Sequence, residues 1–160
     1  MKEPRTILAI DPGNVQSALV WWCEGKVTRA EILPNHDALR CIDEFSGPFQ
    51  SDNAIVCEMI ASYGMAVGAS VFETCVWIGR FWEAASSAFD QPGFARIFRK
   101  DIKMHLCGSM RAKDGNIRQA LIDRLGAPGT KKSPGATYGI SKDLWAALAV
   151  AVTYDDLNPE

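Results

Sequence analysis

Two hydrophobic periods divide this chain. Thr6-Ile-Leu-Ala-Ile-Asp11 is a short apolar run closed by an acid and then by Pro12-Gly13, the pattern of a buried strand stopped by a turn. Ser17 to Trp22 reads as a second strand, Glu24-Gly25 as a turn, and Lys26 to Leu33 as a third strand. Three strands joined by short turns form an antiparallel meander. Asp37 to Phe45 fits a helix with Leu39, Cys41, Ile42 and Phe45 on one side, punctuated by Gly47-Pro48. Asn53-Ala-Ile-Val-Cys-Glu58 is another apolar run closed by an acid. A helix precedes it, so parallel pairing with the first strand is expected.

Ser70-Val-Phe-Glu73 reads as a capping box opening a helix to about Ala88, with Phe72, Cys75, Val76, Gly79 and Trp82 as its apolar stripe. Phe94 to Phe98 is a fifth strand and Asp101 to Cys107 a short helix. Another helix opens at Lys113 or Asp114, faces Ile117, Leu121 and Ile122 inward, and stops at Gly126. Residues 127–139 mix Pro, Gly, Ser and Lys and read as a mobile loop. Ser141 caps a last helix through about Tyr154, whose Ala146, Ala147, Ala149 and Ala151 allow close docking on a sheet. The acidic tail 155–160 is expected to fray. No repeat or internal boundary is visible, so residues 1–160 are expected to form one α/β domain.

Composition adds limits. At 160 residues, 48% apolar and 22% charged, the chain is ordinary for a globular protein and excludes disorder, collagen and coiled coil. No apolar run reaches the ~18 residues of a membrane span, and Met1-Lys2-Glu3-Pro4-Arg5 leads straight into a strand with no secretory h-region. Five cysteines without CxxC spacing, and only two histidines, point to reduced thiols in a reducing cytoplasm, with neither a disulfide framework nor zinc. The net charge of −2 hides a split. Residues 1–95 hold 6 Lys/Arg against 12 Asp/Glu, residues 96–132 hold 10 against 3, and residues 133–160 hold 1 against 4. A +7 segment within an acidic body is either a solvated face or a site for a polyanion.

Three acids occupy unusual places. Asp11 and Glu58 close apolar strands, and Asp143 lies in the first turn of an apolar helix. Taken singly, Asp11 reads as a turn residue and Asp143 as a response to the helix dipole. Glu58, between Cys57 and Met59, would be costly as a lone carboxylate. If the two strands are neighbours the acids meet at one edge, and a docked helix adds Asp143. Clustered carboxylates call for a cation, and oxygen ligands favour Mg²⁺ or Mn²⁺. Two such ions can activate water and stabilise the leaving oxygen of a phosphodiester.

The succession of these pieces resembles the RNase H-like superfamily, and within it the RuvC-type Holliday-junction resolvases. Ile10-Asp11-Pro12-Gly13 resembles their opening motif, and Val56-Cys57-Glu58 before a loop and long helix resembles the second. Arg99-Lys-Asp-Ile-Lys103, Gly108 and Ala112-Lys113 resemble the lysine-bearing helix, glycine turn and second lysine. Asp143 to Tyr154 resembles the closing acidic, alanine-rich helix. The resemblance implies an RNase H-like five-stranded mixed sheet, its first three strands antiparallel, flanked by helices. It implies Asp11, Glu58 and Asp143 as catalytic metal ligands for two Mg²⁺ ions, with Mn²⁺ as a substitute. The segment 96–132 would line a DNA channel, with Lys103 and Lys113 matching the family's lysines and Lys100, Arg111 and Arg118 as neighbours. Tyr63 is the nominee for stacking on a base, against the alternative of packing its own loop. The family pairs through the helix that follows, so a homodimer is expected, and two-fold symmetry suits paired nicks.

One departure stands out. The family places a second metal-facing group three residues from the first on its last helix. Here those positions are Ile140 and Ala146, which cannot bind metal. Asp155 and Asp156 lie about three helical turns further on, too far to substitute. The resemblance thus implies a metal-dependent endonuclease of branched DNA, above all four-way junctions, in the cytoplasm of a bacterial or phage-infected cell. The alternatives are an RNase H-like nuclease acting on RNA or non-junction DNA, and a non-catalytic nucleic-acid-binding protein keeping the fold. An actin-like ATPase shares the strand-Asp-x-Gly motif but needs two such domains, which 160 residues do not supply.

Overall fold

The computed structural model describes residues 3–46, 52–86 and 93–160. Five strands form one mixed sheet in the order β3-β2-β1-β4-β5: β1 (Thr6–Asp11), β2 (Gln16–Cys23), β3 (Lys26–Pro34), β4 (Ala54–Met59) and β5 (Phe94–Phe98). β1 and β2 pair antiparallel, as do β2 and β3, whereas β1–β4 and β4–β5 are parallel. The helices are α1 (Asn35–Phe45), α2 (Ala69–Ser86), α3 (Arg99–Cys107), α4 (Asp114–Leu125) and α5 (Leu144–Leu157). The expected stop at Gly47-Pro48 and the end of the second helix at Ala88 lie outside the described residues.

Strand period 2 sorts the core into two layers. Ile7 and Ala9 of β1, Val20 of β2, Val56 of β4 and Ile97 of β5 share a core with α3, α4 and α5. Leu8, Ile10, Leu19, Trp21, Ile55 and Cys57 share the other with α1 and α2. Both faces of the central strands are therefore covered, which is why β1 and β4 read as unbroken apolar runs rather than alternating ones. α5 is buried almost all round, and its alanines Ala147, Ala149 and Ala151 are at most 1% exposed. Small side chains let that helix lie close on β1 and β2.

Several expectations need correction. On α2 the buried positions are Thr74, Ile78, Phe81 and Ala85, a regular helical stripe. The stripe expected to face inward does not: Phe72 (62% exposed), Val76 (57%) and Trp82 (42%) face out. The helix is apolar on more than one side, so periodicity alone could not choose the core face. Its first residue is Ala69, so Ser70 lies inside the first turn and does not cap it. Likewise Ser141 does not cap α5; a tight turn through Lys142 and Asp143 precedes the helix, and Asp143 holds the N-cap position. Residues 127–139 fold back on themselves instead of running open. Gly129 and Pro134 form a bridge, Gly135 N–H donates to Pro128 O, and the buried Thr137 hydroxyl donates to Gly126 O.

The tail does not fray either. α5 continues to Leu157, and its acids are tied down. Asp155 accepts from the Arg5 guanidinium (2.6 Å) and from the buried Trp22 indole N–H (2.8 Å). Asp156 pairs with Arg124 and with His105 Nε2 (2.6 Å). Asp155→Ala should therefore orphan the Trp22 N–H and cost about 1–3 kcal/mol. Urea unfolding of the two proteins checks this, and an unchanged midpoint would contradict it.

Candidate active site

The parallel register decides where the acids meet. Ile10 of β1 lies beside Cys57 of β4, so the next residues along, Asp11 and Glu58, are level. Alternation puts Asp11 on the same face as Ile7 and Ala9, and Glu58 on the same face as Ala54 and Val56. That face is the one covered by α5, whose N-cap is Asp143. The Asp143 side chain makes no capping hydrogen bond to its own helix. It lines an open cleft of about 220 Å³ together with Asp11 and Glu58. A capping hydrogen bond is thus not what positions its carboxylate.

The turn after Asp11 is fixed by a small polar network. Ser17 and Asn35 are each 2% exposed. The Ser17 hydroxyl donates to Asn35 Oδ1 (2.6 Å), Asn35 Nδ2 donates to Gly13 O (2.8 Å), and Gly13 N–H donates to Ser17 Oγ (3.2 Å). Position 13 must be glycine because a Cβ there would come within 2.3 Å of Gln16 O. The start of β2, the start of α1 and the end of β1 are thereby locked into one corner. Nothing in the sequence pattern marks Asn35 for this, since its partner lies 22 residues away.

The acids crowd one another. The Asp11 carboxyl is raised to about 8 by burial first, then by the charges of Glu58 and Asp143, against the lowering pull of Arg99. Glu58 is raised too, by burial, with Arg99 acting against it. Arg99 Nη1 lies 3.4 Å from Glu58 Oε1, and Nη2 pairs with Asp114. Arg99 was not singled out among the expected site residues, yet it follows β5 as directly as Asp11 and Glu58 close β1 and β4. A charged residue at the same end of a third parallel strand is the signal that could have found it. Lys142 and Asp114 also line the cleft without having been expected there.

The expected basic residues fall into three places. Lys100 and Lys103 share a groove of about 360 Å³ with Tyr63, Arg99 and Met110. Tyr63 is 64% exposed, so it does not pack its own loop, and it also lines a pocket adjoining Asp11 and Glu58. Arg118 lies across the cleft, over the Trp145 ring at 5.2 Å, in a pocket with Lys142. Arg111 and Lys113 are exposed, in the turn between α3 and α4 and at the N-cap of α4. No ion pair among the described residues engages Lys100, Lys103, Arg111, Lys113, Arg118 or Lys142.

Do these acids fit a divalent cation? The donors are all carboxylate oxygens, which suits Mg²⁺ or Mn²⁺, and their crowding is the condition that a cation relieves. Among the described residues, however, no three His, Cys, Asp or Glu side chains are gathered closely enough to hold one as they stand. The set fits in kind, and would have to close up around the ion.

The mixed sheet in the order β3-β2-β1-β4-β5, flanked by helices, is an α/β fold of RuvC type. No protein-family model matches the chain, and no curated protein does. Solved structures do. Thermus thermophilus RuvC is 19% identical, with 92% of each chain covered and a TM-score of 0.66. T. thermophilus RuvC in complex with Holliday junction substrate is 17% identical, covering 92% of this chain and 91% of the other, with a TM-score of 0.65. At these identities the likeness is one of fold.

A raised carboxyl sets a testable pH dependence. Between pH ~4 and ~8 the unfolded chain has lost the Asp11 proton that the folded one keeps, so metal-free stability falls as pH rises through this window. In EDTA, Asp11→Asn should melt higher than the wild type at pH 8, and the gap should close toward pH 4. Equal melting temperatures at pH 8 would mean that the acids are not crowded.

Proposed function

We propose that this protein is a metal-dependent endonuclease acting on branched DNA, above all four-way junctions, by paired symmetric hydrolysis of phosphodiesters. The observation that carries the reading is the meeting of Asp11, Glu58 and Asp143 at one cleft, flanked by Lys100, Lys103 and Lys142, which no ion pair among the described residues engages, and by an exposed tyrosine. The shared fold with a RuvC solved on a Holliday junction substrate supports it.

Each element has a part. Asp11, Glu58 and Asp143 would hold Mg²⁺, or Mn²⁺ in its place. Bound there, the ion supplies Lewis-acid activation of water and neutralises charge at the phosphorus. Lys100 and Lys103 on one side of the cleft, and Arg118 and Lys142 on the other, offer charge to backbone phosphates. Lys113 and Arg111 extend that surface toward the turn before α4. Tyr63 presents a free ring for stacking on an unpaired base, an interaction worth ~1–3 kcal/mol. The outward Phe72, Val76 and Trp82 on α2 supply an apolar face on which a second copy would pair, giving two cleavage sites related by symmetry. The setting would be the cytoplasm of a bacterial or phage-infected cell.

One observation favours a second reading, a nucleic-acid-binding protein without catalysis. Ala146, one turn beyond Asp143 and facing the same cleft, offers no ligand. Labelled four-way junction, linear duplex and RNA–DNA hybrid, each with Mg²⁺ or EDTA, separate the possibilities. The expected result is symmetric junction nicks that need Mg²⁺ and vanish in Asp11→Asn. Junction binding without cleavage would establish the second reading, and cleavage of hybrid alone would remove the junction from the proposal. Binding in EDTA should weaken steeply with salt, and Lys103→Ala should flatten the log–log slope by about 1.

A further inference from the structure

Arg99 is the residue that the proposed chemistry leaves unexplained. It reaches the site by topology: β5 runs parallel to β4 with Ile97 beside Glu58, so the chain delivers position 99 to the edge where β1 and β4 deliver their acids. The guanidinium is held from two sides, by Glu58 at 3.4 Å and by Asp114. It is planar, permanently charged and suited to carboxylates, so it serves as a standing counter-charge that pH cannot remove.

Two further observations concern the charge that this cleft can accept. On α5 the residue one turn past Asp143 that lines the cleft is Ala146, a methyl group with no lone pair to offer. Ionised Asp11, Glu58 and Asp143 together with Arg99 sum to −2, while Asp114 and Lys142, which also line the cleft, cancel each other. One divalent ion brings the group to neutrality. A second would leave two uncompensated positive charges within the same small space, where the one further carboxylate lining the cleft, Asp114, is already paired with Arg99.

We propose that Arg99 fills the role of a second cation at this site, so that the protein takes a single divalent ion where the sequence led us to expect two. This rests on the metal-dependent reading above. Arg99 acts through Glu58, as a positioning residue: it holds one carboxylate oxygen and leaves the rest of the acid set to the ion. Glu58 is the shared ligand, so removing the guanidinium both frees an acceptor and lowers the local positive charge by one.

Counting bound Mn²⁺ tests this on the full chain without nucleic acid, using the EPR signal of the free ion. Wild type should bind one Mn²⁺ per chain. Arg99→Gln should bind a second, and Arg99→Lys should return the count to one, a rescue that a purely structural role would not produce. Circular dichroism establishes that each variant is folded. Two ions on the wild type, or one on a folded Arg99→Gln, would overturn the role of Arg99 and leave the nuclease reading standing. No bound ion on any of the three would remove the metal reading and this inference together.

Discussion

Everything at the working end of this protein follows from putting carboxylates closer together than water would allow. β1 and β4 are parallel and in register, so their last acids are forced level at one edge. Packing under α5 then takes away much of their solvent. Charges in that position have only a few remedies: keep a proton, accept a guanidinium, or accept a metal ion. The metal-free protein uses the first two, with Asp11 holding its proton to about 8 and Arg99 leaning on Glu58. The fold is thus built around an unfavourable cluster, and the apolar layers on both faces of the sheet supply the stability that tolerates it.

Much of this was legible in the sequence, for reasons that can be named. Apolar runs closed by acids mark strands covered on both faces, and the helix between the third and fourth strands forces the parallel crossover that brings Asp11 beside Glu58. What escaped was whatever depends on a choice of face or a distant partner. α2 is apolar on two sides, so its inward residues could not be separated from Phe72 and Val76 by period alone. The tail was read as loose because its acids looked solvated, whereas Arg5, Trp22, His105 and Arg124 reach it from far along the chain. Arg99 was hidden by an element boundary: with the helix expected at Asp101, it fell in a connector instead of at a strand end.

The charge split has a spatial meaning as well. The two acids near the end of α5 are spent on internal ties, Asp155 on Arg5 and Trp22, Asp156 on Arg124 and His105. Arg99 apart, the cations around the cleft have no ion-pair partner among the described residues. An almost neutral chain can therefore present a positive rim about a negative centre, and the sum over the sequence conceals both.

The tie between Arg5 and Asp155 fixes where the chain ends are. Arg5 precedes β1, and Asp11 closes it six residues on, about 20 Å along the strand. Both ends of the described chain are thus gathered at the pole remote from the cleft. Anything joined to either end, a tag or a fused domain, would hang behind the molecule, leaving the cleft face clear of the chain's own ends.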